Sequence, residues 1–298
     1  KTASWSTLLL FCAALCLPGC SLLPRASDEA TADNAPAPVI ATSQAPSFEV
    51  QVHAPKTVRE TLERHLELQR FRHLPDLQDA ELQRLLGAAH ANARELLGTL
   101  GYFAPTISLA LDAPPPERPH GLRTVVITVE PGPQTHIATA DIGFADTADG
   151  DPDARTRQQQ RVQRGWSLQP GQAFTQSAWD AAKNDGLRQL QVRRYPTAHI
   201  ATSRAEVDAD THEARLSVTY DPGPVYRFGA LKVEGSERYD PDGARRLARL
   251  PTGAIYDENA LLDAQLNLAS SGYYDAVFLT LDTEGDNPLA APVVAHVR

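Results

Sequence analysis

One pattern of apolar and polar positions recurs three times between Phe48 and Arg298. In each copy the apolar spacing passes from alternation to a period of 3.6 residues and back to alternation, which predicts a strand, two helices and two further strands. A tyrosine follows the longer helical pattern of every copy, and Tyr102, Tyr195 and Tyr273 lie 93 and 78 residues apart, which gives a repeat of roughly 80 to 90 residues. This period is longer than that of common solenoid repeats and favours tandem small domains.

Turn-forming and capping residues mark the ends of the predicted helices. Gly101 and Gly272 precede two of the tyrosines and suit the left-handed end of a helix. The pairs Asp151-Pro152 and Asp240-Pro241 predict helix starts, because aspartate accepts from free first-turn amides and proline fits the first helical position. We read Thr57-x-x-Glu60 as a capping box that starts the first helix.

The longer helix of each copy is amphipathic, and its apolar stripe predicts the buried face. The stripe runs from Leu82 to Leu100 in the first copy and includes Trp179 and Leu190 in the second. In the third copy we expect one buried face made of Leu262, Leu266, Ala269 and Tyr273. We expect the three tyrosines to be packing anchors where helix meets strand.

The order of elements predicts an α+β fold of three β-α-α-β-β modules. The last two strands of a module should form a hairpin, whereas the first returns through the helices and should pair in parallel. Each module is then a three-stranded mixed sheet covered on one face by two helices. We expect the modules at residues 48–133, 134–224 and 225–298. Because the chain has no methionine and ends inside a predicted strand, we expect a longer parent chain and a truncated third module.

The residues before the first module predict export and a tether. Residues 1–20 combine Lys1, an apolar run and the ending Leu17-Pro18-Gly19-Cys20, as in a signal peptide with a lipobox. Cys20 would then be lipidated, and simple signal cleavage or a retained anchor is the alternative. Residues 21–47 are rich in proline, alanine and small polar side chains, which predicts a disordered linker.

Composition and motifs argue against catalysis and against nucleic-acid binding. The formal net charge is −9, whereas binding to phosphates requires clustered lysine and arginine. The sequence contains no His-Glu-x-x-His zinc motif, no Gly-x-Ser-x-Gly elbow and no phosphate-binding or dinucleotide-binding glycine loop. We therefore expect no enzyme activity, no cofactor and no metal site.

The module pattern resembles the polypeptide-transport-associated (POTRA) domain. The resemblance is carried by Gly101-Tyr102-Phe103, by Gly272-Tyr273-Tyr274 and by the Pro-Gly-Pro junctions at 131–133 and 222–224. Three copies after an export leader resemble the N-terminal half of a TamA-like member of the BamA superfamily. This resemblance implies periplasmic modules at the outer membrane that hold unfolded outer-membrane or secreted polypeptides, including autotransporters, and pass them to a downstream β-barrel. It also implies an inner-membrane-anchored companion subunit.

The same resemblance implies that client polypeptides bind by adding a strand to a sheet edge. We expect this edge on the middle strand of the third module, which contains Val277, Phe278, Leu279, Thr280 and Leu281. We expect the backbone amides of Phe278 and Thr280 to face outward. A different class of function stays open, in which the chain is a barrel-less envelope lipoprotein scaffold built from the same modules.

Overall fold

The computed structural model describes residues 46–74, 77–113, 122–146 and 151–298. They form three consecutive β-α-α-β-β modules, each with a three-stranded mixed sheet, so the predicted α+β class is confirmed. The predicted signal peptide, Cys20 and nearly all of the predicted linker lie outside the described residues. Among the described helices, none has both the length and the apolar character needed to cross a membrane.

The first module contains a short 3₁₀ helix between its two α-helices. Its elements are β1 (Phe48–His53), α1 (Lys56–His65), the 3₁₀ helix (Glu67–Phe71), α2 (Asp79–Thr99), β2 (Thr106–Asp112) and β3 (Arg123–Glu130). The predicted capping box is wrong, because α1 begins after Pro55 and no side chain caps it. Thr57 is already inside the first turn, where its side chain is too far along the helix to act as the N-cap.

The second and third modules repeat this order. The second contains β4 (His136–Phe144), α3 (Pro152–Arg164), α4 (Gln176–Gln191), β5 (His199–Asp208) and β6 (Glu213–Asp221). The third contains β7 (Phe228–Glu234), α5 (Pro241–Ala248), α6 (Glu258–Ala269), β8 (Val277–Leu281) and β9 (Ala291–Val297). Both predicted Asp-Pro caps are confirmed, because Asp151 accepts from the Ala154 amide and Asp240 from the Asp242 amide.

The last strand of each module lies at the centre of its sheet. The strand orders are β1-β3-β2, β4-β6-β5 and β7-β9-β8. The central strand pairs in parallel with the first strand and antiparallel with the middle strand, as predicted. The first and middle strands of every module are therefore edge strands.

Each module has its own hydrophobic core between the sheet and its helices. Leu62, Leu82 and Ile127 are fully buried in the first core. In the second core Tyr220 lies under α4, where its hydroxyl donates to the Lys183 carbonyl at 2.9 Å. Burial raises the pKa of Tyr220, and the nearby Asp185 carboxylate raises it further, so the phenol stays protonated.

The predicted buried face of α6 is wrong. The side chains that face the third core are Leu261, Ala264 and Leu268, whereas Leu262 is 46% exposed and Leu266 63% exposed. Both sets have helical spacing, so the sequence alone did not distinguish them. The choice between them depends on the position of the sheet, and it leaves two leucines of α6 facing solvent.

Gly101 and Gly272 adopt the left-handed conformation that the sequence predicts. Their φ angles are 88° and 73°. A Cβ atom added at Gly101 would overlap the carbonyl oxygen of Phe174 in the second module, whereas a Cβ atom at Gly272 would meet nothing within 4 Å. Glycine is thus required at position 101 both by the positive φ angle and by the close approach of the Phe174 carbonyl oxygen.

We predict that Gly101→Ala destabilises the protein more than Gly272→Ala does. The left-handed conformation costs an alanine about 1 kcal/mol at either position, and the overlap with Phe174 adds to this cost only at Gly101. Urea unfolding of the whole chain would measure both changes. Gly171→Ala is a matched control, since Gly171 has a φ of 86° and open space around it. Equal losses at Gly101 and Gly272 would contradict the overlap.

Candidate functional site

Strand β8 has one bonded edge and one outer edge. It pairs antiparallel with β9 from Val277↔Val297 to Leu281↔Val293 without any shift in register. Within the described residues no other strand pairs with β8. The five residues predicted as the candidate partner-binding edge are the whole of this strand.

The hydrogen bonds at the two ends of β8 show which of its amides face outward. Ala276 and Arg298 exchange two backbone bonds, of 3.3 and 3.0 Å, and Asp282 donates to the Pro292 carbonyl at 2.8 Å. Since bonded and non-bonded pairs alternate in an antiparallel ladder, the amides of Phe278 and Thr280 face β9.

The expectation that the Phe278 and Thr280 amides face outward is therefore wrong. The outward amides of β8 belong to Val277, Leu279 and Leu281. The alternation of apolar side chains along a strand indicates which side chains face the core. It does not indicate which amides point to the left or right in the plane of the sheet, because that depends on the hydrogen-bond register.

One of these three outward amides is already bonded by a side chain. The Leu279 amide donates to Oε1 of Gln265, on α6, at 2.9 Å. Within the described part of the chain, no such bond is made to the outward amides of Val277 and Leu281. The helix that covers β8 therefore closes the middle of the edge and leaves both ends open.

The two exposed leucines of α6 lie next to this edge. Leu262 and Leu266 are one turn apart, and Gln265 lies between them and the buried stripe of the helix. Gln265 reaches the outer edge of β8. Leu262 and Leu266 lie on the same side of the helix, about 60° and about 100° further from the buried stripe than Gln265. We call the outer edge of β8 together with Leu262, Gln265 and Leu266 the β8 edge site.

The opposite face of the β8 edge site is also apolar. Phe278 points away from the helices and is 59% exposed. Together with Val277, His296 and Val297 it lines a shallow depression of about 380 Å³. A strand added to β8 would thus meet apolar groups on both of its faces.

The outer edge of β4, in contrast, is covered. The Gly171 amide donates to the Ile137 carbonyl at 2.7 Å, and the Ile137 amide donates to the Gln172 carbonyl at 2.8 Å. Further along the strand, Nε2 of Gln163 donates to the Ile142 carbonyl at 3.1 Å. A loop and a helix side chain together occupy the groups that a further strand would need.

Strand β7 is covered in the same manner. The Phe228 amide donates to the Ala254 carbonyl at 2.9 Å, and Nε of Arg245 donates to the Leu231 carbonyl at 2.8 Å. The first strand of the second module and that of the third are therefore poor places for strand addition.

The middle strands of the first two modules differ from β8. Strand β5 has an irregularity between Ile200 and Thr202, and bulges of this kind hinder edge pairing. Strand β2 pairs regularly with β3 over seven residues and is the second candidate edge. Only β8 combines a regular edge with two exposed leucines on the helix beside it, among the described strands.

The structure places the predicted structural-motif residues in three separate modules. Tyr102 is half-buried against the first core and Tyr195 is buried in the second. Tyr273 departs from the expected packing role, because it is 52% exposed and its ring contacts Tyr239 with centroids 5.1 Å apart. Gly101 and Gly272 lie directly before two of these tyrosines, at the helix ends.

The ion pairs among the described residues are at least partly exposed. No cluster of three or more His, Cys, Asp or Glu side chains among these residues could hold a metal ion. The pKa of Asp208 is lowered by hydrogen bonds from the backbone of Thr211 and Asp210, and the pKa of Asp180 by hydrogen bonds from Lys183 and Gln176. Both shifts favour the ionised carboxylate.

Comparisons with known proteins give likenesses of low identity. No family model matches the chain. POTRA domains 3–5 of BamA from Haemophilus influenzae share 18% identity over 85% of this chain and 96% of that chain, with a TM-score of 0.47. POTRA domains 1–3 of Omp85 from Anabaena share 15% identity over 84% and 93%, with a TM-score of 0.30.

A third solved structure is BamA from Haemophilus ducreyi lacking POTRA domains 1–3. It shares 18% identity over 55% of this chain and 29% of that chain, with a TM-score of 0.42. At these identities and scores the likenesses do not assign the chain to a family.

We predict that proline is tolerated at Val277 and harmful at Thr280. Val277→Pro removes an outward amide and should cost about 1 kcal/mol or less, whereas Thr280→Pro removes a bond to β9 and should cost about 2 to 3 kcal/mol. Urea unfolding of the complete chain measures both. If Val277→Pro were the more harmful change, the assignment of the amide directions would be wrong.

Proposed function

We propose that the chain binds unfolded polypeptides in the periplasm, and that a client segment adds as a strand at the β8 edge site. The observation that carries this proposal is the regular, one-sided edge of β8 beside the exposed Leu262 and Leu266. Backbone groups at a sheet edge bind a strand without requiring one particular sequence. A site of this kind therefore suits partners that share a strand conformation and little else.

The two leucines favour a particular class of client. In an added strand every second side chain faces the helix layer, where Leu262 and Leu266 would contact it. Burial of each leucine contributes about 1 kcal/mol or more. Strands of outer-membrane proteins alternate between apolar and polar residues, and they meet this requirement.

Gln265 weakens the site and keeps binding reversible. A client must take the Leu279 amide from Gln265, so one existing hydrogen bond is exchanged for another and the net gain at this position is close to zero. Only the outward amides of Val277 and Leu281 would form hydrogen bonds to the client without giving up a bond within the protein. Weak binding of this type suits a protein that passes its clients on.

We further propose that the chain is a TamA-like member of the BamA superfamily with three POTRA-type modules, at residues 48–133, 134–224 and 225–298. Client chains would pass from the modules to a β-barrel, with an inner-membrane-anchored companion subunit. The repeated element order and the Gly-Tyr turns support this proposal. Its location would be the periplasmic side of the outer membrane, and its role is binding rather than catalysis.

A barrel-less lipoprotein scaffold is the second candidate function. It is favoured by the Leu17-Pro18-Gly19-Cys20 sequence and by the linker-like composition of residues 21–47, which together suit a lipid-tethered chain. The parent sequence separates the two candidates. Repeated strands of about ten alternating residues would favour the barrel protein.

We predict that a photoreactive benzoylphenylalanine at Phe278 crosslinks to an unfolded outer-membrane protein diluted from urea. Phe278 lies on the strand that would receive the client, and its exposed ring is replaced by a larger one of similar shape. The same residue at Asp263, which is exposed on α6 away from the β8 edge, is the control. Equal capture at both positions would contradict strand addition at β8.

We predict that Gln265→Ala increases crosslinking through position 278. The substitution frees the Leu279 amide, so a client no longer has to displace a bonded side chain. Asp263→Ala on the same helix is the matched control and should leave crosslinking unchanged. Reduced capture by a folded Gln265→Ala chain would mean that Gln265 assists binding rather than competing with it.

A further inference from the structure

The turn that ends each long helix has the same form in all three modules. A residue in the left-handed conformation is followed by a tyrosine, in the pairs Gly101-Tyr102, Arg194-Tyr195 and Gly272-Tyr273. Their φ angles are 88°, 73° and 73°. In the first two modules this turn is the place where the next module is attached.

The carbonyl of the left-handed residue accepts the first bond of this attachment. The Thr135 amide donates to the Gly101 carbonyl at 2.9 Å, and the Tyr226 amide donates to the Arg194 carbonyl at 2.8 Å. Both donors lie just before the first strand of the following module. Each also lies five residues after the last strand of the preceding module, which ends at Glu130 or Asp221.

An aromatic residue before the long helix of the following module supplies the second contact. The Tyr256 carbonyl accepts from the Arg194 amide at 3.0 Å, and the Phe174 carbonyl lies against the α-carbon of Gly101. Each aromatic residue is also bonded to the residue that donates the first bond. The Phe174 amide donates to the Thr135 carbonyl, and the Tyr256 amide donates to the Tyr226 carbonyl. The same arrangement thus occurs twice.

We call each of these two attachments between consecutive modules a joint. Side chains reinforce both joints. At the first, Nε2 of Gln134 donates to the Leu100 carbonyl at 2.9 Å. At the second, Arg188 pairs with both carboxylate oxygens of Glu258 at 2.7 and 2.9 Å. These contacts differ in chemistry, so the shared part of the joint is its backbone geometry.

The third turn has this geometry without an occupant. Gly272 is exposed, a Cβ atom there would meet nothing within 4 Å, and Tyr273 is 52% exposed where Tyr195 is 1% exposed. Within the described residues no donor reaches the Gly272 carbonyl. The end of β9 is close by, because the Asp275 amide donates to the Arg298 carbonyl at 2.6 Å.

We propose that the Gly272-Tyr273 turn is a docking site for a further β-α-α-β-β module, joined to β9 by a linker of the same length as the two linkers seen. The residue before the first strand of that module would donate its amide to the Gly272 carbonyl. The carbonyl before its long helix would lie against Gly272. This surface is separate from the β8 edge site, and the inference does not depend on the proposed client binding. It replaces the three-module count proposed above with at least four modules, the fourth lying between β9 and any β-barrel.

The two filled joints favour a module over the other occupants. In both joints the turn contacts two segments of the following module, the one before its first strand and the one before its long helix, and these segments are bonded to each other. An extended peptide could supply only the first segment. The first module of a second copy is also unsuitable, because its corresponding amide, Ser47, already donates to the Arg72 carbonyl at 2.6 Å and its Leu77 carbonyl accepts from Arg123 at 3.0 Å.

A four-module fusion tests the proposal. Residues 131–221 are attached directly after Val297, so that Val297 takes the place of Glu130 and the added Thr135 is five residues beyond the strand end. We expect the amide of the added Thr135 to exchange with solvent at about the rate of the original Thr135, and at least about tenfold more slowly than in an undocked chain. The original joint in the same molecule supplies the reference.

Substitution at Gly272 separates docking from simple tethering. In the fusion, Gly272→Ala should restore fast exchange at the added Thr135, because the new Cβ overlaps the added Phe174 carbonyl as it would at Gly101. Gly253→Ala, at a second open glycine with a φ of 81°, should leave exchange slow. Fast exchange at the added Thr135 while the added β6 stays protected would overturn the proposal. So would an unchanged slow rate in Gly272→Ala.

Two further outcomes are decisive. If amide exchange shows that the added copy of residues 131–221 does not fold, a second fusion carries residues 222–298 after Val297 instead. Slow exchange at the added Tyr226 then supports docking, and fast exchange overturns it. If exchange in the three-module chain slows at Ser271 and Gly272 as protein concentration rises, a second copy fills the turn and the proposal is wrong.

Discussion

Every sheet in this protein depends on the same constraint, namely that its last strand must bond on both sides. Strands β3, β6 and β9 each lie between a parallel and an antiparallel partner, so most of their in-plane groups are used inside the sheet. The other two strands of each module then expose one row of amides and carbonyls. Unpaired strand edges invite association with other chains unless they are covered or interrupted. The described part of the chain therefore has six sheet edges, and the groups that cover or interrupt each edge determine whether it could accept a further strand.

The same requirement acts at the helix ends. The last carbonyls of a helix have no partner within it, and a left-handed residue turns the chain so that other groups can reach them. In the first two modules an amide of the following module bonds the carbonyl of this left-handed residue, and the joints are therefore built largely from backbone groups. Gly101 must lack a side chain because a carbonyl packs on it. Arg194 can keep its side chain because the Tyr256 carbonyl bonds its amide instead.

Local patterns in the sequence predicted most of the fold. The order of elements, the caps at Asp151 and Asp240 and the left-handed glycines depend on neighbouring residues, and all of these were confirmed. Two features of the candidate site were predicted incorrectly. The amphipathic pattern of α6 allows two faces, and the amide directions of β8 depend on hydrogen bonds to β9 that are long-range in sequence. No signal in the sequence connected Gln265 with Leu279, since that contact exists only after the helix has packed.

The error in the buried face of α6 bears directly on the proposed function. Had Leu262 and Leu266 packed in the core, the edge of β8 would lie beside the polar residues of the helix. A strand could then gain little beyond its backbone bonds, which replace bonds to water and contribute only modestly. With the leucines outside, the helix that covers β8 carries exposed apolar side chains, and under the proposed function these would add to the binding of a client strand. Gln265 bonds the middle outward amide of β8, that of Leu279. In the proposed binding the same helix would therefore both favour an apolar strand and limit how tightly it is held.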